Sequence, residues 1–298
     1  MTNKTHGAAR LTDWGVIRAE GEEAAKFLHS QLTQDFALLG LDEARLAGFC
    51  SAKGRLLATM IAWKADANTV LLALPQDVLP AILKRLSMFV LRAKCKLTDA
   101  SGQYALWGVV SAPDSAPRWS LVREGEAMKV RLPDAGDASL WLVAQPLEAE
   151  APAAVLPEGA WSWATLEAGL PHVQAATTEQ FVPQMLNLEL LGGVNFQKGC
   201  YPGQEVVARS QYRGTLKRRT YLYEMDGTAA QPGQEIFHSE DPGQPAGLIA
   251  NVAEQDGRSL VLAETKIAAL ASGSLHLGSA EGPLLTPRAL PYALTEAQ

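Results

Sequence analysis

The chain has 298 residues, 47% hydrophobic and 19% charged, with 26 basic against 32 acidic side chains and a formal charge of −6. That length exceeds one simple core and suits two or three compact units, and the composition excludes an intrinsically disordered chain. The acidic total excludes nucleic-acid binding through overall charge, leaving only a local basic patch as a route to it.

Cys50, Cys95 and Cys200 are odd in number and far apart, which argues against a disulfide framework and for a reducing compartment. No Cys or His spacing suits a metal centre within the chain. Met1 to Gly15 lacks the apolar core of a secretory signal, and no run is long enough to span a bilayer. A cytoplasmic protein without a membrane partner is expected.

In chain order, Trp14 to Ile17 reads as a first strand and Glu22 to Leu32 as a helix with Ala25, Leu28 and Leu32 at helical spacing. Gly48 to Arg55 is a glycine-bounded turn, followed by a buried strand over Leu56 to Trp63 and a return strand over Thr69 to Leu74. The apolar spacing from Pro75 predicts a helix reaching Val90. Strands follow over Tyr104 to Val110, Met128 to Leu132 and Leu140 to Val143. A connector over Pro146 to Gly159 precedes helices over Trp161 to Gly169 and Pro183 to Leu191. After Arg219, turns at Asp226-Gly227, Pro232-Gly233, Pro242-Gly243 and Asp256-Gly257 space out short strands, the pattern of a small antiparallel barrel or sandwich.

The densest chemistry lies in Lys198-Gly199-Cys200-Tyr201-Pro202-Gly203-Gln204-Glu205. Pro202 and Gly203 predict a type II turn over Tyr201 to Gln204, with a short helix starting just after it and offering free N–H groups to an anion. The window from Lys198 to Arg219 holds six basic residues (Lys198, Arg209, Arg213, Lys217, Arg218, Arg219) and one acidic residue, Glu205. The remainder of the chain carries 20 basic and 31 acidic residues, so positive charge is concentrated here. The window reads either as a solvated face or as a contact for an anionic ligand or partner.

Cys200 reads either as a reactive thiol favoured by neighbouring cations or as a small side chain in a tight turn, and no histidine lies near it in sequence to act as a base. Lys198 either balances an anion or caps a helix end. Trp14 and Trp161 offer flat faces to a planar heterocycle, or belong to the core. Glu167 is either an acceptor for such a ring or a surface carboxylate. Ser51 and His29 form no recognisable catalytic set with an acid, and no phosphate-binding glycine loop is present.

The stretch from Lys198 to Glu205 resembles the K-G-C-Y-x-G-Q-E signature of the YgfZ family, folate-binding proteins of iron–sulfur cluster assembly or repair that are linked to tRNA modification. The likeness continues through Phe27-Leu28, Gln31 to Asp35, Cys50 to Arg55, Leu166 to Pro171, Phe181 to Gln184 and Asn187-Leu188. It also takes in Leu191 to Gly193, Tyr212-Arg213-Gly214 and Leu290 to Tyr292.

The family shares its fold with the aminomethyltransferase (T-protein) of the glycine cleavage system. The resemblance therefore implies an α+β fold in which residues 1–219 form two folate-binding α+β subdomains, with a boundary near residues 100–160. Residues 220–298 would form a C-terminal antiparallel β-barrel, and the units would surround a central channel for tetrahydrofolate or another reduced folate. It places Trp14, Trp161 and Glu167 on the folate, makes Cys200 and Lys198 the candidate catalytic pair, and implies iron–sulfur proteins or assembly factors as partners.

T-proteins carry an Asp-Asp pair where this chain has Ala58-Thr59, and an arginine where it has Thr165. Without that carboxylate the acid–base group of aminomethyl transfer is missing. One-carbon transfer therefore ranks below the iron–sulfur role, and a non-catalytic tRNA- or protein-binding module is the remaining alternative.

Overall fold

The computed structural model describes residues 6–213, 216–227 and 229–294; Gly214 of the family motif lies outside them. The elements are β1 (Gly7–Arg10), β2 (Trp14–Glu20), α1 (Ala24–Gln31), β3 (Ala44–Cys50), β4 (Leu56–Asp66), β5 (Thr69–Pro75), α2 (Leu79–Ser87), β6 (Lys96–Asp99), β7 (Tyr104–Ser111), β8 (Leu121–Glu124), β9 (Ala127–Arg131) and β10 (Ser139–Pro146). They are followed by α3 (Ala160–Glu167), α4 (Gln204–Tyr212), β11 (Arg218–Asp226), β12 (Glu235–His238), β13 (Asp241–Gln255), β14 (Arg258–Lys266), β15 (Leu275–Leu277) and β16 (Leu284–Arg288).

Two antiparallel five-stranded sheets and a closed six-stranded barrel result. The first sheet runs β3-β4-β5-β2-β6, the second β1-β7-β10-β9-β8, and the barrel β11-β14-β13-β12-β15-β16. The first sheet is buried on both faces, so its strands read as continuous apolar runs. Alternate residues of β5 go to opposite sides: Val70, Leu72 and Leu74 meet α1 and α2, whereas Leu71 and Ala73 join a second core with Leu140 and Leu142 of β10. Helices thus cover one face of this sheet and the second sheet covers the other. Among the described residues no helix is long and apolar enough to cross a membrane.

Several expectations need correction. β1 precedes the expected first strand and pairs with β7, with Gly7 opposite Val110. The α2 helix stops at Ser87, leaving Phe89 44% exposed beyond it. The expected helix over Pro183 to Leu191 is only a 3-10 turn, Pro183–Leu186. Asn187 ends it with φ of 56°, its amide donating to the Thr220 carbonyl at 2.8 Å. A tertiary bond to the barrel thus replaces the next helical turn. Pro242-Gly243 falls inside β13 and makes no turn between strands.

Candidate functional site: a cavity between three units and a thiol turn beside it

A cavity opens where the two sheets and the barrel meet, with about 770 Å³ of space when the open solvent at its mouth is included. The β1–β2 connection gives it Leu11 and Asp13, and the first residue of β2 gives Trp14; β3 and β4 give Leu46, Thr59 and Ile61; the second sheet gives Leu142; β13 gives Val252. The α3 helix presents Trp161, Ser162, Thr165 and Leu166, an i, i+1, i+4, i+5 set that forms one helical face. Glu167 is not on that face. Its carboxylate is turned toward the barrel, 3.8 Å from Arg288.

Trp161 is buried against Gly108 of β7. A Cβ there would sit 2.1 Å from the indole Cδ2, so glycine makes the close approach possible. Trp14 lies with its ring centroid 5.6 Å from that of His172. The two tryptophans named from sequence are therefore brought to one cavity, and Glu167 is not.

The segment after α3 forms another wall. Asn251 of the barrel pins His172 by accepting its backbone N–H at 3.0 Å and donating to its carbonyl at 2.9 Å. Thr59 accepts the Val173 N–H at 3.0 Å, so the hydroxyl at the position where T-proteins have a carboxylate is already engaged. Ala58 faces away, into the core under α1 and α2. Thr165, where T-proteins have arginine, bonds the Ser162 carbonyl of its own helix at 2.8 Å.

His172 was only one of five scattered histidines in the sequence, and Asp13 was a residue beside an indole; their convergence is tertiary. The His172 Nε2 lies 2.8 Å from the Gln174 side-chain nitrogen. Burial pushes the imidazole down to about 4, against the opposing pull of Asp13 and then Asp77, so it is neutral near pH 7. The unfolded chain takes up this proton near 6.5, well above the folded one. Between those values the unfolded state binds more protons, so stability is complete above pH 6.5 and falls as pH drops toward 4. The loss reaches up to about 3 kcal/mol at about 1.4 kcal/mol per unit. A His172→Gln variant is expected to flatten urea-unfolding stability between pH 6.5 and 4; a slope equal to that of the wild type would refute the assignment.

The thiol-bearing turn forms as its residues predict. Gly203 has φ 80° and ψ 0°, the Gln204 N–H reaches the Tyr201 carbonyl at 3.2 Å, and α4 starts immediately after. A Cβ on Gly203 would sit 2.4 Å from the Ser51 carbonyl oxygen, so this turn is docked on the hairpin tip between β3 and β4. The cavity meets the same hairpin at Thr59, which pairs with Gly48, about 10 Å along the strand from Ser51 at roughly 3.3 Å per residue. No residue of the Lys198 to Glu205 stretch lines the cavity.

Lys198 is buried. Its ammonium donates to the carbonyl of His29 and, at 2.8 Å, to that of Leu32, and lies 4.7 Å from the centre of the Tyr201 ring. It caps the C-terminal end of α1, as a cation can at the negative end of a helix. Burial brings the ammonium down to about 8, with Asp35 and Cys200 opposing. Cys200 is exposed, whereas burial raises the Cys50 thiol to about 12 and the half-buried Cys95 to about 11. His29 Nδ1 is 3.1 Å from Asp35 Oδ1, a contact the fold makes without bringing the Ser51 hydroxyl into it.

The basic window divides. Arg213 and Lys217 are exposed, and Arg209 is exposed with Glu205 at 3.4 Å. Arg218 Nη1 donates to both Glu264 carboxylate oxygens, at 2.9 and 2.7 Å. Arg219 is buried in an ion pair with Glu189, near the Gln184 carbonyl and the Asn187 side chain. Its expected role as an anion or partner contact is corrected, because a guanidinium enclosed by these acceptors cannot meet an outside surface.

No family model matches the chain. It is 31% identical over 231 residues to the tRNA-modifying protein YgfZ of Edwardsiella ictaluri, covering 71% of this chain and 69% of that protein. The chain belongs to the YgfZ family. The YgfZ proteins named tRNA-modifying in Sodalis glossinidius and Serratia proteamaculans are 28% and 29% identical over 310 residues, 96% of this chain and 93% and 92% of theirs. Among solved structures, the glycine cleavage system aminomethyltransferase T of Bartonella henselae superposes with a TM-score of 0.73 over 97% of this chain and 86% of its own, at 17% identity. That likeness shows the fold of this chain: two antiparallel sheets and a C-terminal barrel in the T-protein arrangement.

Proposed function

We propose that this protein binds a reduced folate, tetrahydrofolate in the first instance, in the cavity between its three units, and serves there as an accessory factor for iron–sulfur proteins and tRNA modification. The observation that carries the reading is the cavity itself. It is apolar, large enough for a planar heterocycle, flanked by Trp14 and Trp161, and equipped with a few polar groups that can fix orientation. A neutral imidazole and a carboxylate suit the mixed donors and acceptors of a pterin. Among the described lining residues there is no Lys or Arg, so the ring end fits inside and the anionic glutamate tail extends toward solvent.

The accessory role rests on membership of the YgfZ family and on Cys200, the exposed thiol about one hairpin tip from the cavity. Aminomethyl transfer finds no carboxylate at Ala58 or Thr59. The cations Arg209, Arg213 and Lys217 remain available for an anionic partner such as tRNA, with Arg218 held by Glu264 and Arg219 withdrawn into the interior.

Calorimetric titration tests the central claim. Tetrahydrofolate is expected to bind the wild type with one site and to bind Trp14→Ala about tenfold or more weakly, from loss of one stacking face. Trp161→Phe, which keeps the packing on Gly108, should bind with an intermediate affinity. A wild type that takes up no folate removes the reading. For the accessory role, Cys200→Ala is expected to fail to restore iron–sulfur enzyme activity in a strain lacking the protein, and full restoration would exclude the thiol.

A further inference from the structure

We propose that Asp13 is the specificity-determining residue of the cavity, its carboxylate accepting two N–H bonds from the amidine edge of a 2-amino-4-oxo heterocycle, the part the family resemblance gives to Glu167. The inference deepens the folate reading and rests on it for the ligand, but the role it assigns belongs to this chain's own geometry.

Four observations lead to it. Glu167 is turned out of the cavity toward Arg288, so the helix that supplies Trp161 supplies no carboxylate. Asp13 is the one carboxylate among the described lining residues. Its side chain makes no hydrogen bond or ion pair with a described residue and is exposed at the mouth, while its backbone carbonyl is fixed by the Gln76 N–H at 2.8 Å. The side chain is therefore free on an anchored backbone, next to the Trp14 face.

The surroundings leave that negative charge unanswered. Asp13 lies close enough to His172 to act on its charge, but burial keeps this imidazole uncharged at neutral pH, and Gln174, the other neighbour of His172, is neutral. Asp77 acts on the same imidazole and adds negative charge. With no lining Lys or Arg, the cavity mouth favours a partner that brings hydrogen-bond donors. A 2-amino group and the adjacent ring N–H present two parallel donors, a fork that matches a carboxylate as a guanidinium does. An exposed but directed bond of this kind selects a ring bearing the donors over an isostere without them.

The test measures binding by calorimetry and by quenching of indole fluorescence, on the full chain. Tetrahydrofolate should bind Asp13→Asn about 10- to 100-fold more weakly than the wild type, the range for a hydrogen-bond pair to a charged group, while Glu167→Gln binds as the wild type does. A tetrahydrofolate analogue with the 2-amino group replaced by methyl keeps only the ring N–H, and should bind wild type more weakly and with a smaller difference between wild type and Asp13→Asn. Asn at position 13 leaves the backbone bond to Gln76 intact, and unfolding in urea should match the wild type. Equal tetrahydrofolate binding by wild type and Asp13→Asn overturns the inference while leaving the folate reading standing, as does a loss confined to Glu167→Gln. Guanosine bears the same edge. Were it to bind in place of tetrahydrofolate, and to weaken in Asp13→Asn, the role of Asp13 would stand and the folate reading would fall. A wild type that binds neither removes both.

Discussion

Arg219→Ala is expected to cost about 3 to 5 kcal/mol of stability, the largest single effect in this chain, because it leaves Glu189 buried without its cation. Both side chains are enclosed, at 4% and 6% exposure, and burial already raises the Glu189 carboxyl despite Arg219. The guanidinium also reaches the Gln184 carbonyl and Asn187 Oδ1, both in the segment that ends the 3-10 turn. Removing it therefore loosens the join between the barrel strand β11 and the segment carrying the family's central motifs. Urea unfolding measures the loss. Arg213→Ala and Lys217→Ala, at exposed positions, should each fall within about 0.5 kcal/mol of the wild type. A stable Arg219→Ala that lost only salt-sensitive binding would return this residue to the surface role first read from the sequence.

Gly108→Ala is expected to lower stability by about 1 to 3 kcal/mol and to weaken folate binding about tenfold, because the new methyl group would meet an indole. Its Cβ would lie 2.1, 2.3 and 2.6 Å from three atoms of the Trp161 ring system, and that side chain is buried with the cavity on one side. The indole must tilt into the cavity, removing the flat face and part of the volume. Gly102→Ala is the control, since nothing lies within 4 Å of the added atom. Calorimetry with tetrahydrofolate and urea titration on the two variants check both effects. If Gly108→Ala binds folate as the wild type does, Trp161 is not a wall of the ligand site.

Much of the architecture was legible because local chemistry and tertiary structure agree. Pro202-Gly203 specified its turn, the continuous apolar run over Leu56 to Trp63 announced a buried strand, and three of the four turns after Arg219 announced a small antiparallel unit, which is the barrel. The helix beyond Ser87 was over-read because Phe89 and Val90 continue an apolar spacing although the backbone has turned away. At Pro183 a good helical pattern lost to one side-chain bond from Asn187 to another domain.

At the site, the two indoles stand out in sequence and both line one cavity. The phase of α3 that turns Glu167 toward Arg288, and the β1–β2 connection that brings Asp13 to the cavity, are tertiary and not visible in the letters. The same holds for Lys198: the residue is visible in the motif, but the carbonyls of His29 and Leu32 that it satisfies are brought to it by the fold.

The placement of β1 has a consequence for how the molecule is made. Gly7 to Arg10 are made well before β7, the named strand they pair with, and Gly7 cannot pair until Val110 exists, while Ala8 also waits for a bridge to Val155. Only β3-β4-β5 of the first sheet can close from neighbouring hairpins; β2 must enter between β5 and β6, and β1 must reach β7, non-local closures that slow folding. Leu11 and Asp13 lie on the tether between β1 and β2, and Trp14 opens β2. The cavity takes its lining from Leu11 through Val252, so it is complete only after the barrel strand β13 has been made and docked against both sheets.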